Sequence, residues 1–143
     1  MADVVRLTCW PSPDRLALGI QLRNLAGQLH SETEELTQID TGYSGDLLVP
    51  FPLFVHLNLH LWSLPHQVSP QGTTVTGEII QFIEAEAEVV IPQAGQHFAV
   101  IVQTFLGNGR FLIGRNLLRH LKVLLDGPGS QTCLLTPTDS AES

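Results

Sequence analysis

Leu-Thr-Gln-Ile-Asp-Thr-Gly-Tyr-Ser-Gly-Asp-Leu-Leu-Val-Pro, residues 36 to 50, decides how the rest of the chain is read. An apolar run ending at Ile39 feeds Asp40 into a turn punctuated by Gly42 and Gly45. A second apolar segment, Leu47-Leu48-Val49, leaves that turn and stops at Pro50. A carboxylate at the mouth of a tight loop between buried strands is costly to desolvate unless it is hydrogen-bonded or paired. Burial and neighbouring charge are also what shift a carboxyl pKa, so Asp40 is a candidate functional group.

Working outward, a second segment completes the pattern. Phe111-Leu112-Ile113-Gly114-Arg115-Asn116-Leu117-Leu118 places an apolar strand and a Gly ahead of a short helix, about seventy residues after Asp40. Between the two segments lies a stretch bracketed by Gly72 and Gly77, with Thr73-Thr74-Val75-Thr76 suited to extended backbone. Asp-Thr-Gly followed by Ile-Gly-Arg-Asn-Leu-Leu resembles the retropepsin-like, retroviral-type aspartic proteases, most closely their small bacterial single-domain members. The resemblance covers roughly residues 15 to 135.

That resemblance implies an all-β fold: a retropepsin-like closed barrel or sandwich, one lobe per chain, with a flap hairpin and a short C-terminal helix. It implies an aspartic endopeptidase in which Asp40, Thr41 and Gly42 form the catalytic turn. Hydrolysis by this chemistry needs two carboxylates sharing a proton. One Asp-Thr-Gly per chain therefore implies a homodimer, with the two Asp40 side chains meeting on its axis. In the family the Thr hydroxyl bonds across the dimer to the partner's loop, a role that falls to Thr41. The segment from Gly72 to Gly77 would be the flap over an extended peptide substrate, with Thr74 and Val75 contacting it. Tyr43, Asp46 and Ile113 complete the expected substrate-binding set, and Gly114, Arg115 and Asn116 the structural support. In retroviral enzymes the matching Arg pairs with an acid soon after Asp-Thr-Gly; here the nearest is Asp46, two residues later than in the family. Tyr43 replaces a small residue and the flap tip is less Gly-rich. Both motivate a competing reading, a peptide-binding or assembly module without efficient hydrolysis.

Bulk properties narrow the classes. With 143 residues the chain fits one domain and its own core. Net charge of −7 argues against nucleic acid reached through a basic surface. The seven Lys and Arg form no run, and no apolar stretch reaches membrane-span length. No signal-peptide pattern opens the sequence, so the expectation is a cytoplasmic protein, with Cys9 and Cys133 as buried free thiols. His56 and His60 stand four apart, yet no Cys or third His is suitably spaced; neither a metal nor a cofactor is expected.

Elsewhere the pattern is of strands. Residues 3 to 9 have strand composition, and 1 to 14 form an N-terminal segment that is a candidate dimer-interface strand. Leu16, Leu18, Ile20 and Leu22 alternate as in a half-buried strand. A helix is favoured for 51 to 57, with strand or loop after it. Residues 66 to 91 read as a long hairpin, in which Glu84, Glu86 and Glu88 form a solvated face. Residues 96 to 104 read as a strand, Asn116 to Lys122 as a short helix, Val123 to Leu125 as a last core strand and Cys133 to Leu135 as an edge strand. Residues 136 to 143 read as a disordered polar tail.

Overall fold

The computed structural model describes residues 5–64, 71–73 and 77–137. The N-terminal part contributes β1 (Val5–Pro11), β2 (Ala17–Arg23), β3 (Glu35–Ile39) and β4 (Leu47–Leu48). Helix α1 (Phe51–His56) and a 3₁₀ turn (Leu59–Trp62) come next, then β5 (Gln71–Thr73) and β6 (Ile79–Gln81). The C-terminal part holds β7 (Ile83–Ile91), β8 (Gln96–Thr104), β9 (Leu112–Ile113), α2 (Arg115–Leu118), β10 (Lys122–Asp126) and β11 (Gln131–Pro137). The chain is mostly β, and six strands close a barrel in the order β2-β3-β9-β4-β8-β7, as an all-β reading expects.

The barrel interior arises from period-two patterning. Leu18, Ile20 and Leu22 of β2 point inward beside Ala85, Ala87, Val89 and Ile91 of β7 and Val100 and Val102 of β8, all buried. Phe54 and Leu57, from α1 and its end, and Leu59 of the 3₁₀ turn close one end, and Leu117 of α2 joins the same core. The helix at 51–56 matches the favoured reading. It starts after Pro50, where a missing N–H costs nothing. Beyond the helix the chain enters a 3₁₀ turn rather than a strand, through Asn58 in the left-handed region.

Several expectations need correction. β2 is buried on both faces, not one: the Glu34 carboxylate and the Trp10 indole cover Gly19, and a Cβ there would collide with both. Trp10 Nε1 donates to Glu34 Oε2 at 2.5 Å, which satisfies the covering groups. The expected long hairpin is divided. Among the described residues β5 pairs with β6, and Ser63 bridges Ala85 of β7, which otherwise pairs with β8 and β2. The glutamates of β7 are not a uniform wet face, because Glu84 accepts a bond from Gln103 and Glu88 pairs with Arg23. Helix α2 stops at Leu118, short of Lys122.

The termini differ most. β11 is the centre of a three-stranded sheet ordered β1-β11-β10, not an edge. Its inner face, Trp10, Leu134 and Thr132, packs toward the barrel, while Leu124 and Leu125 of the edge strand β10 remain exposed. The N-terminal strand therefore pairs within its own chain. Thr136, expected in a disordered tail, is a buried member of β11. Cys9 faces Cys133 in register and the two are joined by a disulfide, so they are not free thiols.

Candidate active site

The Asp-Thr-Gly turn is built by an interruption of strand order. β3 and β4 are consecutive in the chain but do not pair. Instead β9 lies between them, parallel to β3 (Gln38↔Leu112, Ile39↔Ile113) and antiparallel to β4 (Leu47↔Ile113, Leu48↔Leu112). Residues 40 to 46 must therefore span the width of an intervening strand, arching over Gly114 at its end. Leu112 and Ile113 are buried, as is expected of a strand enclosed on both edges.

Backbone bonds fix the arch to that strand. Asp40 N–H donates to the Ile113 carbonyl at 2.9 Å, and Gly114 N–H donates to the Asp46 carbonyl at 2.9 Å. The first amides of α2 have no partner inside their own helix. They donate to the arch instead: Arg115 N–H to Tyr43 O at 2.8 Å and Asn116 N–H to Gly45 O at 3.1 Å. Gly114 makes the closeness possible, since a Cβ there would run into the Gly45 carbonyl and the Tyr43 ring.

Asp40 is half-buried at the mouth of this arch. Its Oδ1 accepts the Gly42 N–H at 2.9 Å, an Asx turn that sets the side-chain direction. Oδ2 makes no hydrogen bond among the described residues. Thr41 and Gly42 are exposed at the tip, and the Thr41 hydroxyl is likewise without a partner among the described residues.

The neighbouring residues separate into two groups. Tyr43 is folded down, with its hydroxyl donating to Gln103 Oε1 at 2.5 Å, and Gln103 Nε2 donates on to Glu84 Oε2 at 2.6 Å. Burial first, then the Asp46 and Glu84 carboxylates, push the phenol well above its ordinary pKa, so it remains a donor. Asp46 is also turned into the frame. Its Oδ2 accepts the Ile101 N–H at 2.8 Å and its Oδ1 accepts Asn116 Nδ2 at 2.7 Å.

This arrangement corrects part of the expected site. Ile113 is fully buried in the single chain, beneath the turn. Asp46 has both oxygens engaged by the protein, as a support for the turn would. Its side-chain partner is Asn116; no ion pair joins it to Arg115 among the described residues. Gly114, Arg115 and Asn116 do underlie the turn, through their backbone amides. Thr74 and Val75 lie outside the described residues. Gly72 sits on the Phe82 ring, which meets Phe105 edge to face at 5.9 Å beside the β5–β6 pair.

A residue group absent from the sequence reading lies beside the arch. Arg15, Ala17, Leu36, Gln38, Arg110 and Leu112 line a cavity of about 350 Å³. The available signal was the basic residue just ahead of each of the two strands that flank β3. Comparison of the chain with protein-family models, with curated protein sequences and with solved structures found no match.

Proposed function

We propose that the protein is a retropepsin-like aspartic endopeptidase that works as a homodimer. The observation that carries this reading is the seating of the Asp-Thr-Gly arch over β9, with Asp40 N–H held by Ile113 and Gly114 beneath the turn. A carboxylate held at one oxygen by its own loop, with the other oxygen open, suits work on a shared water.

With one such Asp per chain, the second carboxylate comes from another copy. The two Asp40 groups share one proton, because like charges a few ångströms apart do not both ionise; this is the known behaviour of aspartic-protease dyads. The unprotonated carboxylate takes a proton from water as the oxygen attacks the peptide carbonyl. The protonated one donates to the carbonyl oxygen, giving a gem-diol. Collapse of that diol returns a proton to the leaving amine. Water is the nucleophile, so no acyl-enzyme forms. The substrate is an extended peptide added as a strand between hairpin and floor. No helix among the described residues is long and apolar enough to cross a membrane. The cytoplasmic placement read from the sequence carries a closed disulfide, which a reducing compartment opposes.

The test is cleavage of a mixed peptide library between pH 4 and 7 by wild type and Asp40→Asn, with a statine-type inhibitor in parallel. The substitution is expected to lower cleavage by roughly a thousandfold or more. Equal cleavage by both proteins would overturn the proposal. Binding of peptides by both without cleavage by either would favour the binding module instead.

A further inference from the structure

The cavity carries two arginines in a chain whose net charge is −7. Its floor is one row across three strands, Ala17 of β2, Gln38 of β3 and Leu112 of β9. Gln38 precedes Asp40 by two residues, so the two leave the strand on the same side, about 7 Å apart along it. Asp40 does not itself line the cavity; Gln38, two residues before it, is the lining residue nearest to it in the chain.

Two guanidinium groups face it. Arg15 donates from Nη1 to Gln38 Oε1 at 3.1 Å, using one of five donors. Arg110 is fixed by its backbone: its N–H donates to Asn108 Oδ1 at 3.1 Å, and its carbonyl accepts Asn108 Nδ2 at 3.0 Å. Asn108 is itself buried and bonded to the Val49 carbonyl. Neither guanidinium makes an ion pair among the described residues. The chain has only seven Lys and Arg against fourteen Asp and Glu, so two unpaired cations on one cavity are a local excess. Phe111 and Leu112 add apolar wall, while Arg15 and Arg110 are exposed at its rim and available to a carboxylate. About 350 Å³ is at the small end of ligand sites and suits one side chain.

We propose that this cavity is a subsite for an acidic side chain, glutamate or aspartate, close to the scissile bond. It rests on the peptidase reading and replaces the family's apolar preference at this position. The carboxylate lies between Arg15 and Arg110, and Gln38, oriented by Arg15, offers its amide N–H.

Blocked peptides (N-acetylated, C-amidated) exclude a terminal carboxylate as the ligand. Wild type is given a mixed library of them, with cleavage sites read by mass spectrometry, and then matched Glu and Gln peptides. Glu or Asp should be enriched at one position within two residues of the cut. The Glu peptide should show kcat/KM about tenfold above its Gln partner. The Arg15→Gln, Arg110→Gln double variant should bring that ratio to within about twofold, and Arg110→Glu should move the preference toward Lys. In parallel, anisotropy of labelled Glu and Gln peptides on Asp40→Asn reads the cavity without hydrolysis. Cleavage with no Glu preference, or with preference for apolar residues, overturns the subsite and leaves the peptidase standing. Glu-selective binding without any cleavage by wild type overturns the peptidase and leaves the subsite. Neither cleavage nor selective binding overturns both.

Discussion

At Gly114 a single carbon sets the shape of the Asp-Thr-Gly arch. Its φ of −97° is open to any residue, so the demand for glycine here is steric. A methyl would meet the Gly45 carbonyl, which is backbone and cannot swing away. Gly114→Ala should cost about 2 kcal/mol or more, read as a lower urea midpoint. It should also reduce cleavage, because the arch that aims Asp40 must shift. A midpoint within error of wild type would mean that the arch relaxes freely. Asp46 is tested in the same way. Asp46→Ala removes the acceptor for the Ile101 N–H and for Asn116 Nδ2, and should cost about 1–3 kcal/mol. If Asp46 contacted substrate instead, the loss would fall on KM and leave the unfolding midpoint in place.

Among elements, the two-residue strand β9 has an effect beyond its length, because it separates β3 from β4 and so makes the turn an arch. Strands β2, β7 and β8 of the same barrel carry an electrostatic cluster. Arg23 of β2 pairs with Glu88 of β7, its partner in register, and His97 of β8 reaches the same carboxylate at 3.1 Å. The Arg23 hydrogen bond, opposed by desolvation and aided by His97, holds the Glu88 carboxyl below its ordinary value. A carboxyl depressed in the folded state binds fewer protons there than when unfolded. Its contribution is present above the usual glutamate value near 4.3, and is lost as pH falls through the lower folded value. Both side chains are about one-third exposed, so the whole effect should stay below about 1 kcal/mol. Melting curves of wild type and Arg23→Gln from pH 7 to 3 measure it. The wild-type advantage should shrink below about pH 4; a constant gap down to pH 3 would show that Arg23 acts through packing.

For the whole molecule, the Cys9–Cys133 bond joins strands 124 residues apart in sequence. Closing so long a loop restricts the unfolded chain, and its removal should cost about 2–5 kcal/mol. The β1–β11 ladder has seven paired positions without it, so reduced protein should stay folded at a lower denaturant midpoint. Unchanged midpoints with and without reductant would show that the ladder alone suffices. Because β11 is filled on both edges by its own chain, a second copy cannot interleave there; it can add only at β1 or β10.

Local physics was legible in the sequence. Asp40 in a Gly-punctuated turn, helix onset after Pro50, the inward alternation of Val100 and Val102 and the strand at Leu112-Ile113 all come from side-chain period and turn chemistry, which act over a few residues. The tertiary structure alone decided what depends on distant neighbours. Glu34 and Trp10 cover Gly19, and Asp46 meets Asn116 rather than Arg115. Arg15 and Arg110 face one cavity, and Cys9 meets Cys133. These contacts join residues far apart in the chain, 24 positions for Trp10–Glu34, 70 for Asp46–Asn116 and 124 for the disulfide, which only the threading of β9 between β3 and β4 and the closure of the terminal sheet bring together. Sequence spacing carries no record of such contacts, because register and strand order are settled by burying both faces at once.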